Sequence, residues 1–308
     1  MIEVMMRGLD GANPLAFLAA LGVLRTLAEA RPDRAVKIGW RLEDVWHPYI
    51  FADGPLSEDV IVDILDRQLR APGADEPFVV APDLKLVVGQ FRTWGVSAVE
   101  AGGLDRRRFA DFVAAFGSDA IVNDDVVADT AFRTMSGAGH QHFLATMALL
   151  VATTTREHLR KALYQRWQYD DPLEKRTLRW DPLDDRRHAT RWSDPSTDST
   201  RRERGAVQGA NRLAVEGLSL FPTAPVNRRL ATVGFTGTSA DATFLKYPIW
   251  TSRLNVDVVR SVLGLETLRN AEDAKTREML TRFGIAEVFR CQRITEGKFR
   301  NFSPSIAL

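Results

Sequence analysis

Apolar positions along the chain change period several times, and each change marks an element. Ile2, Val4 and Met6 alternate with polar or flexible neighbours, as a short strand does. Asn13 and Pro14 then read as the N-cap and first residue of a helix that runs through Leu15, Leu18, Leu21, Leu24 and Leu27 and stops at Pro32. Val36–Val45 predicts one strand or two short ones. Ser57–Leu69 predicts an amphipathic helix capped by Ser57, with Val60, Ile61, Ile64, Leu65 and Leu69 inward. A loop holding Pro72, Gly73, Pro77 and Pro82 follows, then a short strand at Leu84–Val88 and a helix over Leu104–Phe116. Asp119–Val127 fits either type. His140–His158 reads as a helix or a broken one, which Leu159–Trp167 extends or follows with another. From residue 211 the pattern predicts an apolar stretch over Asn211–Leu220. Strands follow at Ala231–Phe235 and Thr243–Trp250, helices at Val256–Leu268 and Lys275–Phe283, and a strand at Ile285–Ile294.

Residues 168–212 fit neither period. Three Asp-Pro steps, at Asp171, Asp181 and Asp194, deny regular structure to their neighbours. Trp167, Trp180 and Trp192 argue against a loose linker. The expected fold is therefore α+β. It mixes helices with short antiparallel strands and carries a long ordered Arg/Trp/Asp-rich central insertion. The expected organisation is an acidic, mostly helical part over 1–167, a functional segment over 168–212, and a strand–helix–strand part over 213–308 packing on the first.

Composition adds two restrictions. No apolar run approaches the length of a bilayer span, the first ten residues lack a signal-peptide pattern, and Cys291 is the single cysteine. A disulfide framework and a cysteine-rich zinc site are excluded within one chain, and a reducing, cytoplasmic setting is the expectation. The net charge of +1 conceals an asymmetry: residues 1–155 hold 14 Lys/Arg against 21 Asp/Glu, whereas residues 156–229 hold 16 against 11. Arginine outnumbers lysine heavily, and its planar fork suits phosphates and base edges.

The basic residues gather in the central segment, at Arg176, Arg179, Arg186, Arg187, Arg191, Arg201, Arg202, Arg204 and Arg212, with carboxylates between them. One reading is an ion-paired solvated loop. The other is a nucleic-acid groove in which arginines meet phosphates while Trp180 and Trp192 stack on unpaired bases. Arg293, Lys298 and Arg300 near the C-terminus could extend it; Arg290 and Arg293 fall on opposite faces of a continuous strand. Ser136-Gly137-Ala138-Gly139-His140-Gln141-His142 invites a metal or general-base role, but a spacing of two separates the histidine side chains, and a Gly-rich turn before a helix explains the residues equally well. Asp10-Gly11-Ala12-Asn13-Pro14 lacks the P-loop and dinucleotide patterns, and helix capping accounts for it.

The opening Gly8-Leu9-Asp10-Gly11-Ala12-Asn13-Pro14-Leu15-Ala16-Phe17-Leu18-Ala19-Ala20-Leu21-Gly22 resembles the start of CRISPR-associated proteins of subtype I-G (formerly I-U). Tyr169-Asp170-Asp171-Pro172-Leu173, Leu178-Arg179-Trp180-Asp181-Pro182, Gly209-Ala210-Asn211-Arg212-Leu213-Ala214 and the stretch from Phe289 to Phe302 are similar to the same group. The resemblance implies a subunit of RNA-guided antiviral defence that holds guide RNA or target DNA, meets other CRISPR-associated subunits, and needs no cofactor or chemistry of its own. It supplies no catalytic residues. A docking adaptor for the helicase-nuclease and a metal-dependent nuclease are the alternatives.

Overall fold

Asn13 starts the helix around which the molecule is built. Its side-chain oxygen accepts from the backbone N–H groups of Leu15 (2.9 Å) and Ala16, and α1 runs from Pro14–Ala30. Every residue from Pro14 to Leu27 is buried, so this is a core helix and not an amphipathic one. The structure is a computed structural model that describes residues 1–102, 107–135, 142–172, 176–184, 205–237, 242–296 and 299–308.

The remaining helices are α2 (Glu58–Leu69), α3 (Val88–Gly102), α4 (Arg108–Phe116), α5 (Phe143–Thr153), α6 (Arg156–Tyr164), α7 (Gln208–Leu218), α8 (Val256–Leu263) and α9 (Ala274–Arg282). Strands β1 (Ile2–Met5), β2 (Val36–Leu42) and β3 (Trp46–Ala52) form an antiparallel sheet in the order β1-β3-β2. A second sheet, in the order β11-β10-β9-β8, comprises β8 (Phe235–Thr236), β9 (Phe244–Trp250), β10 (Ile285–Glu296) and β11 (Phe299–Phe302), with β12 (Ile306–Ala307) also on β10. Two hairpins stand apart from both sheets: β4 (Gly117–Asn123) with β5 (Val126–Asp129), and β6 (Thr223–Val226) with β7 (Arg229–Thr232). The chain is thus α+β with short antiparallel sheets.

Aromatic contacts join α1 to both sheets. The Phe17 ring stacks on Tyr247 at 4.4 Å, and Trp40 meets Trp250 edge-on at 6.3 Å. A bridge between Ile38 and Leu254 ties the sheets' ends. One cluster of buried side chains extends from Met6 to Phe302, so the parts before and after the central insertion share a core.

Helix α7 is the second core helix, buried along its whole length. It crosses α1 at glycines: a Cβ on Gly22 would lie 2.7 Å from the carbonyl carbon of Leu213 and closer still to its oxygen. Gly217 meets the Leu18 carbonyl in the same way. This close crossing also brings charged side chains together inside. Glu216 of α7 receives Arg108 at 2.7 Å, Arg25 at 2.9 Å and Arg212 at 2.9 Å. Arg25, Arg212 and Glu216 are each at most 2% exposed. Burial disfavours the Glu216 charge, but the surrounding arginines, Arg108 foremost, hold its carboxyl well below the usual range.

The described part of the insertion is scaffold as well. Its ends meet at a neck, where Asp171 and Ala206 exchange backbone hydrogen bonds of 3.3 and 2.9 Å. The Asp171 carboxylate accepts from the Gln208 backbone N–H (2.7 Å) at the start of α7 and lies 3.4 Å from His158 Nε2. Thr155, His158 and Asp171 thus stand in a row, but His158 Nδ1 accepts from the Thr155 backbone N–H at 3.0 Å, and the row is a helix cap. Beyond the neck the chain re-enters the core at Leu178 and Trp180, both fully buried.

Candidate nucleic-acid interface

The structure assigns the predicted contact residues to different environments. Trp180 is fully buried, donates from Nε1 to the Phe132 carbonyl at 3.0 Å, and meets Phe132 and Phe143 edge-on. It has no face to offer a base, which corrects its expected stacking role. Arg212 is 1% exposed and is spent on Glu216 and on the Leu69 carbonyl (3.2 Å), so it is corrected to a core residue. Arg179 is also buried, at a positive φ of 59°, and its backbone carbonyl accepts from Phe302. Arg176 is half-buried and donates to Thr153 Oγ1 at 2.7 Å. In the described part of the segment, ion pairing and packing account for the residues better than a groove does. Arg186, Arg187, Arg191, Trp192, Arg201, Arg202, Arg204 and Lys298 lie outside the described residues, as does His140. Among the described residues no three His, Cys, Asp or Glu side chains gather as metal ligands would.

Arg293 and Arg300 do come together. The β10–β11 register pairs Thr295 with Arg300, and Arg293 lies two residues before Thr295, so all three project from one face. Arg293 donates to the Ala131 carbonyl (2.9 Å), and Arg300 donates to the Arg133 carbonyl (3.3 Å). Burial, followed by the neighbouring Arg300 charge, lowers the Arg293 guanidinium to about 10, where it is still charged at neutral pH. Arg300 is lowered too, first by burial and then by Arg133, against the opposing pull of Asp129.

Arg293 opens into a groove of about 520 Å³ that the sequence pattern did not reveal. Asn123 and Asp129 line it from the β4–β5 hairpin, Arg228 and Arg229 from the β6–β7 hairpin, and Thr243 from the entry to β9. Local conformation fixes both hairpin tips. Asp124 and Asp125 have φ of 47° and 64°, and Asn227 and Arg228 have 48° and 61°. Consecutive left-handed residues make the tight turn whose twist matches a hairpin. Arg228 is held in that strained region, exposed at the tip, and forms no ion pair with a described carboxylate. The carboxylates nearby are occupied: Asp129 pairs with Arg133, which also binds Asp83 at 3.0 Å. Burial, opposed by Arg133, raises the Asp129 carboxyl. Of the described charged side chains lining the groove, Arg228, Arg229 and Arg293 stand with Asp129, leaving local positive charge.

Asp181 places the exit of the insertion beside this region. Its carboxylate accepts from the Leu183 backbone N–H (3.0 Å), Tyr169 Oη (3.1 Å) and Asn13 Nδ2 (3.3 Å), while Asn301 of β11 donates to its backbone carbonyl. Residues up to 184 therefore leave the core next to the strand that carries Arg300. Among the described residues no helix is long and apolar enough to cross a membrane. No protein-family model, no curated protein and no solved structure matches the chain.

Proposed function

We propose that the protein is a non-catalytic nucleic-acid-binding subunit of a type I CRISPR RNA-guided interference complex, acting in the cytoplasm. The observation that carries the binding reading is the groove between the two hairpins, with Arg228, Arg229 and Arg293 on its walls and an excess of cationic over anionic described side chains. Several modest cationic contacts, spread over strands and turns, are the requirement for phosphate binding. The CRISPR setting rests on the sequence resemblance carried by the opening, central and C-terminal stretches of the chain. The resemblance implies no chemistry of the chain's own, so the nuclease would be another subunit.

The test is fluorescence anisotropy of the purified chain with labelled single-stranded 20-mers of DNA and RNA across a salt series. Binding should weaken steeply with salt, at close to one log unit per log unit for each phosphate contacted. The double variant Arg228→Ala/Arg229→Ala should flatten that slope by about 1–2. Absence of binding at low salt would overturn the reading in favour of a protein-docking adaptor.

A further inference from the structure

The groove's chemistry narrows what it can read. Its described lining holds three arginines, Asp129, Asn123, Thr243 and small or aliphatic residues, with no aromatic ring among them. Base stacking needs an exposed ring face, and of the two candidate tryptophans Trp180 is sealed in the core while Trp192 lies outside the described residues. Hydrogen-bond readout of a base needs side chains free to present a donor–acceptor pattern. Arg293 lacks that freedom, because one nitrogen is committed to the Ala131 carbonyl and the strand fixes its stem. A partly buried, tethered guanidinium is suited to a small compact anion that reaches down to it. The hairpin-tip Arg228 is exposed and suited to a second, outer contact.

Resting on the nucleic-acid reading above, we propose that this groove is a sugar–phosphate backbone site that is blind to base identity. A phosphodiester sits against Arg293 as the recessed anchor, and Arg228 and Arg229 hold the phosphates on either side. Two observations support the recessed position. Arg293 is half-buried in the groove wall. Arg300 stands beside it on the same sheet face. An anion there would add to the Asp129 charge in offsetting two neighbouring positive charges. Sequence choice in the assembled complex would then lie with a guide strand or another subunit, because phosphate contacts carry no sequence information.

The experiment is competition against a labelled mixed-sequence single-stranded 20-mer bound to the full chain. The probes are the same oligonucleotide unlabelled and a 20-mer in which every base is replaced by an abasic tetrahydrofuran site. The abasic strand should compete within about threefold of the normal one, because only backbone contacts are made. Arg293→Gln should weaken both strands equally, by about tenfold to a hundredfold, as expected for loss of a charge-assisted contact. If Arg293→Gln fails to fold, the surface change Arg228→Gln provides the same equality test with a smaller loss. A normal strand that binds while the abasic strand fails to compete overturns backbone-only recognition but leaves the nucleic-acid reading intact. Equal competition with undiminished binding by a folded Arg293→Gln protein overturns this location. Failure of every strand to bind overturns the function proposed above.

Discussion

Replacing Glu216 with Gln removes one carboxylate from among Arg25, Arg108 and Arg212 and changes almost nothing in shape. Glu216 is 1% exposed, and its three ion pairs measure 2.7, 2.9 and 2.9 Å. Breaking a buried pair while leaving its partners charged costs about 3–5 kcal/mol. With about 2.1 cal/mol/K of unfolding entropy per residue, 308 residues convert about 4 kcal/mol into a fall in Tm of roughly 6 °C. Calorimetry or urea unfolding at neutral pH reads this directly. The pH dependence adds a second check. The Glu216 carboxyl is depressed in the folded state, so its stabilisation is present above the unfolded value of about 4.3 and is lost as pH falls below it. The wild-type protein should therefore lose stability on acidification more steeply than the Glu216→Gln variant. Adding Arg212→Met to the variant should cost less than the two single changes together, because each leaves the other's partner stranded. A loss under 1 kcal/mol for Glu216→Gln would refute the assignment of this cluster, and with it the removal of Arg212 from the binding surface.

Gly22→Ala should destabilise by about 3 kcal/mol, since α1 and α7 must separate to admit a methyl group; an unchanged urea midpoint would contradict the close crossing. Asp181→Asn should be neutral or stabilising at pH 7. Burial raises this carboxyl, and its described partners are Leu183, Tyr169 and Asn13, with no cation among them. The Asp181 contribution is the reverse of the Glu216 one: it is present below the unfolded value near 3.9 and fades as pH rises through the raised folded value. Measuring the two variants side by side over pH would separate them. Trp180→Ala should cost about 3–5 kcal/mol in unfolding free energy, whereas a base-stacking Trp180 would instead weaken oligonucleotide binding at unchanged stability.

Elements with a capping residue and a clear period were legible in the sequence. Asn13 and Ser57 cap helices where expected, and the alternation of Ile285–Ile294 is β10. Of the two readings of His140–His158, a helix or a broken one, the structure has the broken form, with α5 and α6 parting at Thr154 and Thr155. Strand β3 escaped notice because Pro48 sits within it, and proline argues against a central strand. Helix α3 escaped because Val96 and Val99 face solvent while Gly89 and Gly95 interrupt its stripe. The predicted start of α4 at Leu104 falls partly outside the described residues, and the helix is described from Arg108. The β4–β5 and β6–β7 hairpins lack the Asn-Gly or Asp-Gly pair that announces such turns, using Asp124-Asp125 and Asn227-Arg228 instead. That substitution also hid the candidate site. Asn227 followed by two arginines, between Pro225 and Leu230, was the available signal for a basic hairpin tip. Residue density could not substitute for burial. The richest stretch of Arg and Trp contributes Trp180 and Arg212 to the core, and the groove draws on residues far apart in the chain.

Photo-crosslinking of a 4-thiouridine-substituted RNA strand to the purified chain, with the linked peptides mapped by mass spectrometry, tests the central claim most directly. The account predicts adducts on the two hairpins and on β10, within residues 121–131, 226–232 and 291–295, and their loss in Arg228→Ala/Arg229→Ala. Crosslinks confined to other surfaces, or undiminished in that variant, would contradict it.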